Sequence, residues 1–157
     1  MIKVFFIFLI LFSFLYAQED KKEEPILIEA KELVYNKKEN TAVYKGNVTV
    51  KKGDLTINAE KMIIYLSENG DISRIFAEGN VRFKKGNRSG RSKKAEYIKE
   101  KDTIVLIDKA KLIQDQNIIE GDEIIYHLGT EVAEVKGKDN KVRTVIFPRK
   151  TESKGKE

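Results

Sequence analysis

The 157-residue chain has no cysteine, no tryptophan, one histidine and two prolines. Without cysteine there is no disulfide staple and no thiolate for catalysis or soft-metal binding. The single histidine, His127, lies beside Tyr126 in an apolar stretch and reads as a surface strand residue, since a metal site needs further ligands of matching type. Serine is scarce, so no nucleophile stands beside a base. Aspartate and glutamate are plentiful but fall at turns and outward strand positions, and no pair is singled out for acid–base work. The chain therefore reads as a non-enzyme, with no cofactor and no metal expected. Helical periodicity is also lacking beyond residue 17.

What is present is charge and a modest apolar share. Charged residues make up 35% and apolar residues 41%, below the usual globular share of roughly 45–50%. The length suits one domain. The formal net charge is +5, but the basic residues are spread along strand faces and turns and form no block. A polyanion partner and a merely solvated, aggregation-resistant surface are both consistent with that spread.

The organising stretch runs from Ala42 to Tyr65. Ala42, Tyr44, Val48 and Val50 share one parity against Lys45, Asn47, Thr49 and Lys51, the alternation of a half-buried strand. Lys51-Lys52-Gly53-Asp54 is a hairpin turn, after which Leu55, Ile57 and Ala59 alternate again. The pattern recurs. Gly79-Asn80-Val81-Arg82-Phe83-Lys84-Lys85-Gly86 repeats Gly46-Asn47-Val48-Thr49-Val50-Lys51-Lys52-Gly53 after 33 residues, and a weaker copy over residues 108–115 follows after a further 29. A companion motif reads Ile28-Glu29-Ala30-Lys31, Ile57-Asn58-Ala59-Glu60 and Ile119-Glu120-Gly121-Asp122, with Tyr35, Tyr65 or Tyr126 a few residues later. Repetition at this period marks stacked supersecondary units.

In chain order, residues 1–17 have the outline of a secretory signal: Lys3, then an apolar core to Tyr16, then Ala17. Left uncleaved, the same segment would be an anchor. Residues 18–24 form a charged linker, and the domain proper spans 25–148. Further short strands are expected at 95–98, 103–107, 110–113, 118–121, 123–128, 132–135 and 142–147. Asn69-Gly70 is a strong turn signal, and the Gly-rich stretch 86–92 is expected to be a loop or a break in the ladder. The tail 149–157 has no apolar residue and is expected to be disordered. Many short strands at even spacing mean an antiparallel all-β fold.

Four segments in order carry a family resemblance. They are Pro25-Ile26-Leu27-Ile28-Glu29-Ala30, Tyr44-Lys45-Gly46-Asn47-Val48-Thr49-Val50, Ile57-Asn58-Ala59-Glu60-Lys61, and residues 118–126. Following a secretory signal, they resemble the LptA/OstA family of periplasmic lipopolysaccharide-transport proteins; Glu60 stands where that family usually has Asp. The resemblance implies an open antiparallel β-jellyroll (a β-taco) with an apolar lumen. It also implies transport of lipopolysaccharide across the periplasm by domains stacked head to tail. The implied partners are lipid A, an inner-membrane LptC-like and an outer-membrane LptD-like jellyroll, and further copies of the chain, but no nucleic acid. By strand parity the lumen candidates are Ile26, Ile28, Val48, Val50, Ile57, Val81, Phe83, Tyr97, Leu106, Leu112, Ile124 and Tyr126. Two other readings stay open: an LptC-like partner anchored by residues 1–16, and a structural β-solenoid suggested by the 33-residue repeat.

Overall fold

The computed structural model describes residues 24–137 and 141–148. The expected signal, the linker through residue 23 and the tail 149–157 lie outside the described residues. The elements are β1 (Leu27–Glu29), β2 (Glu32–Asn36), β3 (Thr41–Lys52), β4 (Leu55–Leu66), β5 (Ile72–Lys85), β6 (Arg88–Ile98), β7 (Thr103–Gln114), β8 (Asn117–His127), β9 (Val132–Lys136) and β10 (Arg143–Val145). All belong to one antiparallel sheet in the order β1-β3-β4-β5-β6-β7-β8-β10, with β2 also on β3 and β9 also on β8. The chain is an open antiparallel jellyroll, as the sequence implied.

The expected short strands are mostly halves of long ones. Residues 103–107 and 110–113 are both β7, and residues 118–121 and 123–127 are both β8. Each half looks like a separate strand in the sequence because the alternation is interrupted at one level, by a bulge on β7 and by a change of inward parity on β8. On β3 the bulge falls at Gly46 and Asn47 (φ 82° and 48°), on β5 at Gly79 and Asn80 (82° and 46°), and on β7 at Asp108 and Lys109 (67° and 51°). Each of these strands carries one residue more than its neighbours at that level, as the register shifts from β3 to β8 show. The recurring GNV motif is therefore a recurring β-bulge, one in every second strand. Glycine and asparagine suit it because both accept left-handed backbone.

The companion motif sits across from the bulge. A side chain at Gly46 would run into Lys31, and one at Gly79 into Glu60. Lys31 N–H donates to the carbonyls of Lys45 and Gly46, each at 3.1 Å. Asn80 Nδ2 donates to Glu60 Oε1 at 2.9 Å. Each repeat thus encodes a kink in one strand and the residue that packs over it.

The bulges lie at one level across the sheet, and at that level both sheet edges are broken. β1 pairs with β3 residues 49–51 and β2 with residues 41–45. At the far edge β10 pairs with β8 residues 118–120 and β9 with residues 123–127. The sheet folds along this line into two facing layers. The first contains β1, residues 48–58, 81–92 and 110–121, and β10. The second contains β2, residues 41–45, 61–78, 94–107 and 123–127, and β9. The hairpin turns form the two lips opposite the crease.

The stretch 86–92, expected as a loop, is mostly strand: β6 starts at Arg88. Gly90 is directly opposite Phe83, and a Cβ there would collide with the Phe83 ring. Its glycine is a packing requirement on an inner strand face, which composition alone reads as flexibility.

Candidate functional site

The inner faces of the two layers form one apolar cluster. Val48, Val50, Val81, Phe83, Leu106, Leu112, Ile124 and Tyr126 are buried in it, and Ile28, Ile57 and Tyr97 pack against it from partly buried positions. Eleven of the twelve predicted lumen residues therefore share one interior. Ile26 stands apart at 43% exposure, just before β1.

Sequence parity missed Met62, Ile64 and Ile104, which are at most 5% exposed. The first two have a physical reason. The inward parity of β3, β5 and β7 survives the crease, because each bulge adds a residue there. β4, β6 and β8 have no extra residue, so their inward parity changes from odd to even or from even to odd. On β4 it passes from Ile57 and Ala59 to Met62 and Ile64, and on β8 from Ile119 to Ile124 and Tyr126. The signal that could have found Met62 is the bulge motif itself, read as a switch of face for its partner strand.

The interior is nearly filled. Between the layers remains a cavity of about 20 Å³, lined among others by Ile57, Val81 and Phe83 from the first layer and Ile75, Tyr97 and Leu106 from the second. That is room for one water-sized body. Burial pushes the Tyr97 phenol up from its ordinary value, with the Asp102 charge adding to it.

One polar contact joins the lips. Arg88, at the start of β6 in the first layer, donates through Nη1 and Nη2 to Glu131 in the β8–β9 turn of the second, at 2.6 and 3.0 Å. Nη1 also donates to the Tyr126 hydroxyl at 2.8 Å. The paired fork geometry is the strong form of this contact. The hydrogen bonds from Arg88 hold the Glu131 carboxyl below the usual carboxylate range, and Glu131 in turn raises the Arg88 guanidinium. Arg88 Nε is buried without a partner, a local cost of closing the latch. Nothing in the sequence joined Arg88 to Glu131, because 43 residues separate them and each sits beside a turn.

His127 faces outward, with Nδ1 3.2 Å from Thr103 Oγ1 and Nε2 3.2 Å from Glu134 Oε1. Among the described residues no group of three or more His, Asp or Glu side chains is placed to hold a metal ion.

A single antiparallel sheet creased over an apolar wedge defines an open jellyroll. The family model described as LptA/(LptD N-terminal domain) LPS transport protein matches residues 27–132. The chain belongs to that family of lipopolysaccharide transport proteins. It is 26% identical over 121 residues to the lipopolysaccharide export system protein LptH of Pseudomonas aeruginosa, spanning 73% of this chain and 69% of LptH. The crystal structure of LptH, described as the LptA-homologous periplasmic component of the lipopolysaccharide transport device of P. aeruginosa, has the same fold. It superposes with a TM-score of 0.74 at 22% identity, over 80% of this chain and 96% of that one.

Proposed function

We propose that this protein is a periplasmic carrier that holds the acyl chains of lipopolysaccharide between its two sheet layers and leaves the saccharide in water at the lips. The observation that carries this is the convergence of eleven parity-selected apolar side chains on one wedge that ends in a slot. Each methylene moved from water into such an interior contributes about 0.8 kcal/mol. The cavity lined by Ile57, Phe83, Tyr97 and Leu106 holds about 20 Å³, too little for an acyl chain, so lipid entry there requires the lips to part. The crease can stay intact while they do, because the lips are joined by side chains and the crease by the strands β3 to β8 that run through it.

The domain proposed for this role is 25–148, preceded by a cleaved signal over 1–17 and the linker 18–24. Copies are proposed to stack head to tail, and the same edges to meet LptC-like and LptD-like jellyrolls at the two membranes. The support is the exposed apolar character of both edges: Leu33, Val34 and Tyr35 on β2 at one, and Val132, Ile146 and Phe147 at the other. Unpaired strand edges of this kind accept further strands. Because the two edges differ, the contact is heterologous and propagates.

Photo-crosslinkers at Val50 or Phe83, which face inward, should capture lipopolysaccharide. The same groups at Thr49 or Ile63, which face outward, should not. Equal capture from both faces would remove the wedge as the binding site.

A further inference from the structure

The outer faces of the two layers carry charge very differently. On the second layer Lys45, Lys61, Arg74, Lys94 and Lys136 are matched by Glu32, Glu78, Glu96, Glu123 and Glu134. Lys61 meets Glu78 and Lys136 meets Glu123, each at 3.0 Å, and Arg74 meets Glu96. On the first layer the outward row across the sheet reads Thr49, Asn58, Arg82, Arg91, Lys111, Glu120 and Arg143. The neighbouring row adds Lys51 and Lys84. Six cations there face two carboxylates, Glu120 and Glu29.

Glu120 is engaged by Lys111 at 2.9 Å and by Arg143 at 3.8 Å. No carboxylate of the described residues forms an ion pair with Arg82, Lys84 or Arg91. The register sets Arg82 directly opposite Arg91, and Arg91 opposite Lys111. Like charges directly opposite on adjacent strands destabilise a sheet, so this row works against the fold. Nor does it guard an edge, since β5, β6 and β7 are central strands. Beside Arg82 the face opens into a groove of about 340 Å³, lined also by Asn47, Asn58, Asn80 and Glu60. Glu60 accepts from Asn80 Nδ2, and Asn58 Nδ2 donates to Thr49, so these polar groups are paired among themselves and Arg82 is the groove's free cation among the described residues.

We infer that the outer face of the first layer docks the protein electrostatically on a bilayer surface rich in anionic phospholipid. The cations are spread over adjacent strands about 4.8 Å apart, an extended array on one face that can meet several headgroup phosphates at once. Single-stranded nucleic acid fits less well, because no aromatic side chain interleaves the cations on these rows for bases to stack on. The face points away from the wedge, so docking and lipid carriage are separate properties of one molecule.

The test is partition of the full chain onto vesicles of pure phosphatidylcholine and onto vesicles containing phosphatidylglycerol. The apolar residues near the N-terminus act on both vesicle types, so the difference between them isolates charge. Lys84→Gln with Arg91→Gln should lower partition onto the phosphatidylglycerol vesicles by about 25-fold, at about fivefold per cation near an anionic surface. Lys61→Gln with Lys94→Gln removes the same net charge from the other layer and should leave partition unchanged. Melting curves of both variants establish that they fold, and lipopolysaccharide capture from Phe83 should persist in both, so that failure here and failure of the carrier reading are told apart. Equal loss in the two double variants overturns the inference, as does equal binding of the wild-type chain to both vesicle types. Release from phosphatidylglycerol vesicles by duplex DNA at equal phosphate concentration would assign the face to nucleic acid instead.

Discussion

Gly90→Ala should destabilise the protein, and Phe83→Ala should reverse the sign of that effect. The Phe83 ring lies over Gly90 on the inner face of the first layer, with Cδ1 and Cζ each 2.9 Å from the place a Cβ would occupy. Gly90 has no left-handed backbone requirement, so the conflict is one of packing alone. Overfilling a packed core costs about 1–3 kcal/mol. Removing the ring costs about 3–5 kcal/mol, because Phe83 is only 5% exposed. Once the ring is gone, alanine at 90 meets nothing large and replaces a glycine within a strand, a gain of about 0.5–1 kcal/mol. The same substitution should therefore cost stability in one background and add it in the other, a coupling of about 1.5–4 kcal/mol. Urea unfolding of the four proteins, followed by far-ultraviolet circular dichroism, measures the cycle. An identical cost for Gly90→Ala in both backgrounds would refute the packing account. It would restore the reading of 86–92 as a loop whose glycine is indifferent to Phe83.

The latch should be sensitive to acid. Arg88 depresses the Glu131 carboxyl, so the contact is complete at neutral pH and is lost as pH falls below the ordinary carboxylate range, through the depressed value. Glu131→Gln should speed entry of a fluorescent acyl probe at neutral pH and remove the acid acceleration seen in the wild-type chain; equal entry rates at neutral pH would show that the lips are not held there. Deleting residues 142–157 should leave a folded monomer without concentration-dependent association in sedimentation. Unchanged association would move the stacking joint away from the β10 edge.

The fold was legible in the sequence wherever alternation and turn chemistry agreed. Val48 and Val50 against Thr49 and Lys51, and Val81 and Phe83 against Arg82 and Lys84, gave the inward face directly. What stayed hidden was where one strand continues through an interruption. Asp108-Lys109 opens the weaker third copy of the motif yet lies between two segments read as separate strands; it is the third bulge of a single β7, without the glycine and asparagine that mark the other two. Ser89-Gly90-Arg91-Ser92 looks like a loop because small residues are common in loops, yet it pairs in register with β5 and β7, and the facing ring of Phe83 accounts for its glycine. The layers themselves could not be assigned from periodicity, because the parity switch on β4, β6 and β8 depends on a bulge in the neighbouring strand. Arg88 and Glu131 had no local signal at all, since their pairing is a property of the closed wedge.

Small inward residues are concentrated at the crease. Ala59, Ala77, Ala95, Ala110 and the strand partner of Ala110, Gly121, sit beside the bulges, interleaved there with the larger Val48, Met62, Val81 and Leu106 as strand partners or neighbours. Phe83, Tyr97, Leu112 and Tyr126 lie further toward the lips. The small residues ease the bend, and the rings beyond it help hold the layers apart. The crease and the lips also differ in what can move. Near the crease the alanines are buried where strands β3 to β8 each run unbroken through the bend, so the layers stay joined there by the chain itself. At the lips the layers touch through ring faces, aliphatic ends and the Arg88–Glu131 pair. Each of those contacts can be exchanged for an acyl chain or for water without breaking a ladder. In the carrier role proposed above, this arrangement supplies a permanent hinge and a replaceable filling: the same apolar interior is a core when closed and would be a lipid surface when open.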